Sequence, residues 1–261
     1  MDAPTTRTAP PARPVPLRTA RPGSDGEHLV QVRTGTAGRA DKFYAEQVLD
    51  RLNARMREFV ARQEMFFLAT ADRHGHCDST FRAGPPGFLT VLDERTLAYP
   101  EYRGNGVHAS LGNLEENAHV GILMVDFLRD RIGLHVNGSA RVLTDAELRR
   151  DHPGLPVDPV PGRRAEAWVV VTVDEAYVHC AKHIPHLQKM PLTGPARAWG
   201  TDDFRRKGGD FFGAAAEAAE RGPYAPPPRT GAAPWREQPP AEPARASSGS
   251  GFVSRLRRRL S

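Results

Sequence analysis

The chain has 261 residues, a formal net charge of +5 and 39% hydrophobic residues. That is room for one large or two small domains, but it falls below the globular average, so part of the chain is expected to stay unfolded. Proline and charge agree on which part: of 24 prolines, six fall in residues 1–22 and eight in residues 223–261, and these ends carry +3 and +5, leaving the centre at −3. The basic balance therefore belongs to the tails. It excludes a nucleic-acid-binding core, but not a tail that meets anionic polymers or lipids.

The expected organisation is a disordered tail over 1–22, a compact domain over 23–195 and a mostly disordered Pro/Ala/Arg-rich tail over 196–261. The last carries a short helix near 210–221. Within residues 251–261, Phe252, Val253, Leu256 and Leu260 oppose four arginines, a basic amphipathic pattern of the kind found at membrane surfaces, though a disordered tail is the plainer reading. Cys77 and Cys180 make no disulfide framework. No apolar run reaches a membrane span and no hydrophobic leader segment is present, so a soluble, cytoplasmic protein is expected.

In chain order, Leu29 to Arg33 reads as a short strand. A helix is expected from Asp41, its N-cap, to Gln63, because Tyr44, Val48, Leu52, Met56, Phe59 and Val60 recur at helical spacing. Phe66 to Ala71 and His76 to Arg82 read as strands joined by a turn at Asp72-Arg73-His74-Gly75. In the second strand Cys77, Ser79 and Phe81 share one face, which makes Cys77 a buried structural thiol by expectation; Asp78, Thr80 and Arg82 share the other. A Gly-Pro-Pro-Gly corner follows, then a hairpin of Phe88–Leu92 with Thr96–Tyr99. Val120 to Asp126 reads as a strand buried on both faces. Ile132 to Leu143 alternates cleanly and bends at its glycine. Thr144 to Glu147 is a capping box opening a short helix, and Trp168 to Val178 is the last strand.

Seven strand runs with tight turns point to a small antiparallel barrel, and neither GxGxxG nor GxxxxGK occurs. The stretch from Tyr99 to Asp126 carries the chemistry. A strand end runs into Tyr102-Arg103-Gly104-Asn105, then a helix beginning near Ser110. Backbone N–H groups at such a turn and helix start converge on one point, and an arginine fork suits phosphate. His179, Cys180, His183 and His186 invite a metal reading, but Pro185 breaks their helical alignment and no second ligand cluster is present; no metal is expected.

These features resemble the pyridoxamine 5′-phosphate oxidase-like FMN-binding split barrels, in the branch described as predicted flavin-nucleotide-binding proteins. The matching residues are FFLATADRHGHCDSTFRAGPPGF at 66–88, YPEYRGN at 99–105, LGNLEENAHVGILMVDF at 111–127, VNGSARVL at 136–143 and VHCAKH at 178–183. The resemblance implies a mainly β, six-stranded antiparallel split barrel, a homodimer, and a flavin lying between subunits. It implies Arg82, Tyr102, Arg103, Gly104, Asn105 and Ser110 at the phosphate. Lys182 and His183 are candidates for the redox face of the ring, where a cation stabilises reduced flavin, though a solvated strand end is the plainer reading. It leaves the catalytic residues unknown. The Arg-Lys pair that the true oxidases carry before this helix is replaced by Ala109 and Ser110, so pyridoxal-phosphate synthesis is not implied. The expected function is an FMN-dependent oxidoreductase with a small-molecule redox substrate. The alternatives are a flavin-, F420- or haem-binding module without turnover, or a membrane-surface adaptor acting through the tail.

Overall fold

The structure is a computed structural model that describes residues 21–158, 160, 162–191, 209–220 and 222. Nearly all of the N-terminal tail and the amphipathic stretch 251–261 lie outside the described residues. Seven antiparallel strands form one sheet in the order β2-β1-β5-β6-β7-β4-β3: β1 Met65–Ala71, β2 Cys77–Ala83, β3 Thr90–Asp93, β4 Thr96–Tyr102, β5 His119–Asp126, β6 Ile132–Leu143 and β7 Ala165–His179. This is a split barrel with one strand more than the six expected.

The barrel interior follows from strand alternation. Phe66 and Leu68 of β1, Ile122 and Met124 of β5, Val136 of β6, Val169 and Val171 of β7, and Leu97 and Tyr99 of β4 all point inward and are buried. A second apolar cluster, with Trp168, Val170, Ala98, Leu148 and Leu155, lies on the other side of β7 and β4. There the helix α5, Asp145–Asp151, opens with the expected capping box at Thr144 and Glu147, and Asp145 accepts a hydrogen bond from the Trp168 indole at 2.8 Å.

The glycine at which β6 is expected to bend, Gly138, sits opposite a bulge in β7. Pairing between β6 and β7 shifts register between Asn137 and Gly138, which leaves Asp174 of β7 as the extra residue of a bulge. A Cβ on Gly138 would come within 2.0 Å of the Thr172 carbonyl oxygen, so only glycine allows the two backbones to approach this closely.

Three expectations are corrected. Residues 29–33 are not a strand: they end a helix, α1 Asp25–Arg33, opened by a capping box in which Ser24 and Glu27 satisfy each other's backbone N–H groups. The long helix is two. One helix, α2, runs over Ala37–Gln47 and another, α3, over Ala54–Ala61, with Asn53 capping the second through the Met56 N–H. Between them Val48 is extended and Leu49 makes a bridge to Ala176 of β7 in both directions. The sheet edge thus offered a better set of backbone partners than continued helix. Cys77, expected buried, is exposed, because the inner face of β2 is the polar one. A helix α4, Ala109–Glu116, connects β4 to β5, packs on β1 and β2, and buries Leu111 and Leu114. A short helix α6, Ala214–Ala219, lies within the expected 210–221.

Candidate functional site at the barrel seam

The register of β1 with β2 places Arg82 opposite Phe66, Thr80 opposite Leu68 and Asp78 opposite Thr70. These three polar side chains therefore point to the barrel interior. They are not buried in apolar packing because β2 is an edge strand. Across the seam stand the end of β4 and the start of α4. A cavity of about 570 Å³ opens here, lined by Asp78, Thr80, Arg82, Glu101, Tyr102 and Ser110 among others.

One ion pair closes the seam. Arg82 Nε and Nη2 both donate to Glu101 Oε1, at 2.9 and 2.8 Å. Arg82 Nη1 donates to Thr80 Oγ1 at 3.0 Å, and Nη2 also reaches Ser110 Oγ at 3.3 Å. Ser110 in turn donates to Asp78 Oδ2 at 3.3 Å. Glu101 is only 9% exposed. Burial pushes its carboxyl above the ordinary range, and the Arg82 charge opposes that shift without cancelling it. Beside the pair, the Tyr99 hydroxyl is fully buried and has no hydrogen-bond partner among the described residues; burial first, and then the Glu101 charge, drives its pKa upward.

The helix start leaves its N–H groups without side-chain caps. His108 precedes α4 in the left-handed conformation, φ 54°, and its side chain makes no capping hydrogen bond. The N–H groups of Ala109, Ser110 and Leu111 have no acceptor within the helix, and the helix dipole adds partial positive charge at that end. Ahead of it, Asn105 Oδ1 accepts from the Val107 N–H at 3.0 Å and folds the loop into a turn.

The structure thus brings Arg82, Tyr102, Gly104, Asn105 and Ser110 around one cavity. Arg103 is exposed on the same loop and is not among the cavity-lining residues. Lys182 is exposed beyond the C-terminal end of β7. Tyr102 pairs with Ala165 at the opposite end of that strand. Within one chain Lys182 is not among the residues that line the cavity. Thr80, Asp78, His108 and Glu101 were not singled out from the sequence. The signal for Glu101 was present, since it keeps the alternation of the apolar Leu97 and Tyr99 and so had to face inward.

Seven antiparallel strands with a polar cleft at an open seam define a split-barrel fold. Residues 52–180, which hold the barrel, match the family described as pyridoxamine 5′-phosphate oxidase. Among solved structures it is similar to a putative pyridoxamine 5′-phosphate oxidase from Lactobacillus delbrueckii, at 20% identity over 50% of this chain and 98% of that one, with a TM-score of 0.37. It is similar also to HutZ, the haem storage protein of Vibrio cholerae, at 17% identity over 49% and 94%, TM-score 0.32, and to an F420 reductase, at 16% over 46% and 94%, TM-score 0.32. No curated protein matches the chain. Among the described residues no helix is long and apolar enough to cross a membrane.

Proposed function

We propose that this protein is an FMN-binding flavoprotein and an oxidoreductase of a small-molecule substrate. The observation that carries the reading is the convergence, on one cavity, of the Arg82 guanidinium, the Thr80 and Ser110 hydroxyls and the unpaired N–H groups of α4. That donor set suits a terminal phosphate, and a cavity of this size suits the phosphate end of a nucleotide. Flavin, when bound, supplies two-electron chemistry through its ring. The protein's own part is to hold the phosphate: Glu101 and Thr80 fix the plane of Arg82, Ser110 stands at its edge, and Asn105 shapes the loop that leads into α4.

A homodimer belongs to the same reading. The outer face of β1 and β2 presents Phe67 and Phe81, 40% and 49% exposed and packed edge-to-face at 5.7 Å, with Ala69 and Leu123 alongside. Such a flat apolar face suits a second copy, which would also bring a partner's side chains to a flavin ring. A carrier without turnover, holding flavin, F420 or haem, is the second reading. It is favoured by the lining of the cavity, which within one chain does not include Lys182, the cation expected at the redox face.

The test is spectroscopic. Purified protein, or protein reconstituted with FMN, is expected to show flavin absorbance, and Arg82→Ala is expected to weaken FMN binding by about 30-fold or more, the worth of a charge-assisted contact. Colourless wild-type protein that takes up no FMN sinks the flavin reading, and a Soret band in its place selects haem. Turnover with a pyridine nucleotide and an acceptor dye excludes the carrier.

A further inference from the structure

The arginine that faces the cavity already has a counter-ion. Two of its donors converge on a single oxygen, Glu101 Oε1, and among the described residues no hydrogen bond reaches Oε2. A second acid, Asp78, lines the same cavity and accepts from Ser110. With both carboxylates ionised, Asp78, Glu101 and Arg82 sum to −1 before any ligand arrives, against about half a positive charge from the start of α4. A phosphate monoester brings up to two more negative charges. In a partly desolvated cleft, like charges a few ångströms apart cannot all stay ionised.

We propose that Glu101 sets the charge of the ligand this cavity accepts: a phosphate enters together with a proton, and the proton goes to the Glu101 carboxylate. Neutral Glu101 releases Arg82 Nε and Nη2 toward the ligand and removes the nearest opposing charge. Glu101 is the group that takes the proton because it is the most buried acid of the cleft and because one of its oxygens has no donor to lose. The groups that face it are Arg82 from β2, His108 at the start of α4 and Tyr99 of its own strand, with Asp78 across the same cavity behind Ser110; β1, β7 and the Gly84–Gly87 corner present it with no charge. Ligands with a singly charged phosphodiester need less of this compensation than FMN, so the device also grades flavin-type cofactors by phosphate charge. The inference uses only the phosphate half of the flavin reading.

The experiment is titration calorimetry of FMN, and separately of inorganic phosphate, into the full chain at pH 8, above the second phosphate pKa and the ordinary histidine range. Running it in buffers of different ionisation enthalpy counts protons. Uptake of close to one proton is expected, with apparent affinity falling about tenfold per pH unit from 7.5 to 8.5. In Glu101→Gln, which leaves His108 and Asp78 in place, binding is expected to tighten and the uptake to vanish. FMN binding with no proton uptake in wild type overturns the inference and leaves the flavin reading standing. Uptake that persists in Glu101→Gln also overturns it and passes the role to His108 or Asp78. Phosphate binding with Glu101-dependent uptake but no FMN binding keeps the inference and removes the flavin. Binding of neither overturns both.

Discussion

At the scale of single residues, charge placement decides more than charge count. Arg82 lies opposite Phe66 on a strand that faces the barrel interior, yet the edge position of β2 keeps it reachable by a ligand. Its presence on a polar face was legible in the alternation of Asp78, Thr80 and Arg82. Its neutralisation by Glu101 was not, because those two residues are brought together only by closure of the seam. A second local network sits in the β1–β2 turn. Asp72 accepts from the backbone N–H groups of His74 and His76 at 2.8 and 2.9 Å, and its other oxygen meets His76 Nδ1 at 2.8 Å. The His76 side chain first, and then its backbone, hold the Asp72 carboxyl down to about 2, from an ordinary 3.8. A carboxylate depressed in the fold contributes stability that is fully present above its unfolded pKa and is lost as pH falls through the folded one. The urea midpoint of the wild type is therefore expected to drop between pH 3.8 and about 2 by an increment that Asp72→Asn lacks. Amide exchange in the turn is expected to be faster in the variant at neutral pH.

At the scale of elements, local signals succeeded where the chain's partners are local. The hairpin at Asp72–Gly75, the capping box at Thr144 and the full alternation of β6 were all readable, since each depends on residues within a few positions of one another. The single long helix failed for the opposite reason: apolar spacing continues through Val48 and Leu52, but Leu49 finds its backbone partners on Ala176, far along the sequence. Residues 29–33 read as a strand by composition, although Ser24 and Glu27 stand at capping-box spacing just before them. The bulge in β6 and β7 lends itself to a direct test. Gly138→Ala places a methyl against the Thr172 carbonyl, and a clash with backbone is not relieved by rotating a side chain. A loss of about 3 kcal/mol is expected, read as a lower urea midpoint at unchanged slope.

At the scale of the whole molecule, the barrel leaves two surfaces unfinished. One is the seam, bridged by the Arg82–Glu101 pair and opening into the cavity. The other is the outer face of β1 and β2, where Phe67 and Phe81 are in contact with each other and with solvent. If this face joins two copies, the wild type runs at twice its 28.6 kDa in light scattering. The double variant Phe67→Asp, Phe81→Asp is then expected at the single mass, with a native circular dichroism spectrum. A wild type that stays at the single mass at micromolar concentration sinks the dimer. Weaker flavin binding in the monomeric variant would further place part of the ring site on the partner subunit.

The amino-acid sequence by itself determined most of the strands, most of their turns and the loop of Tyr102 to Asn105, because period-two alternation and turn chemistry act between near neighbours. Only the tertiary structure decided that the expected helix breaks at Val48, that Cys77 faces outward and that the candidate phosphate arginine is already paired with an acid. Each of those depends on which distant strand edge or side chain closes on the residue, and neither spacing nor composition encodes that directly.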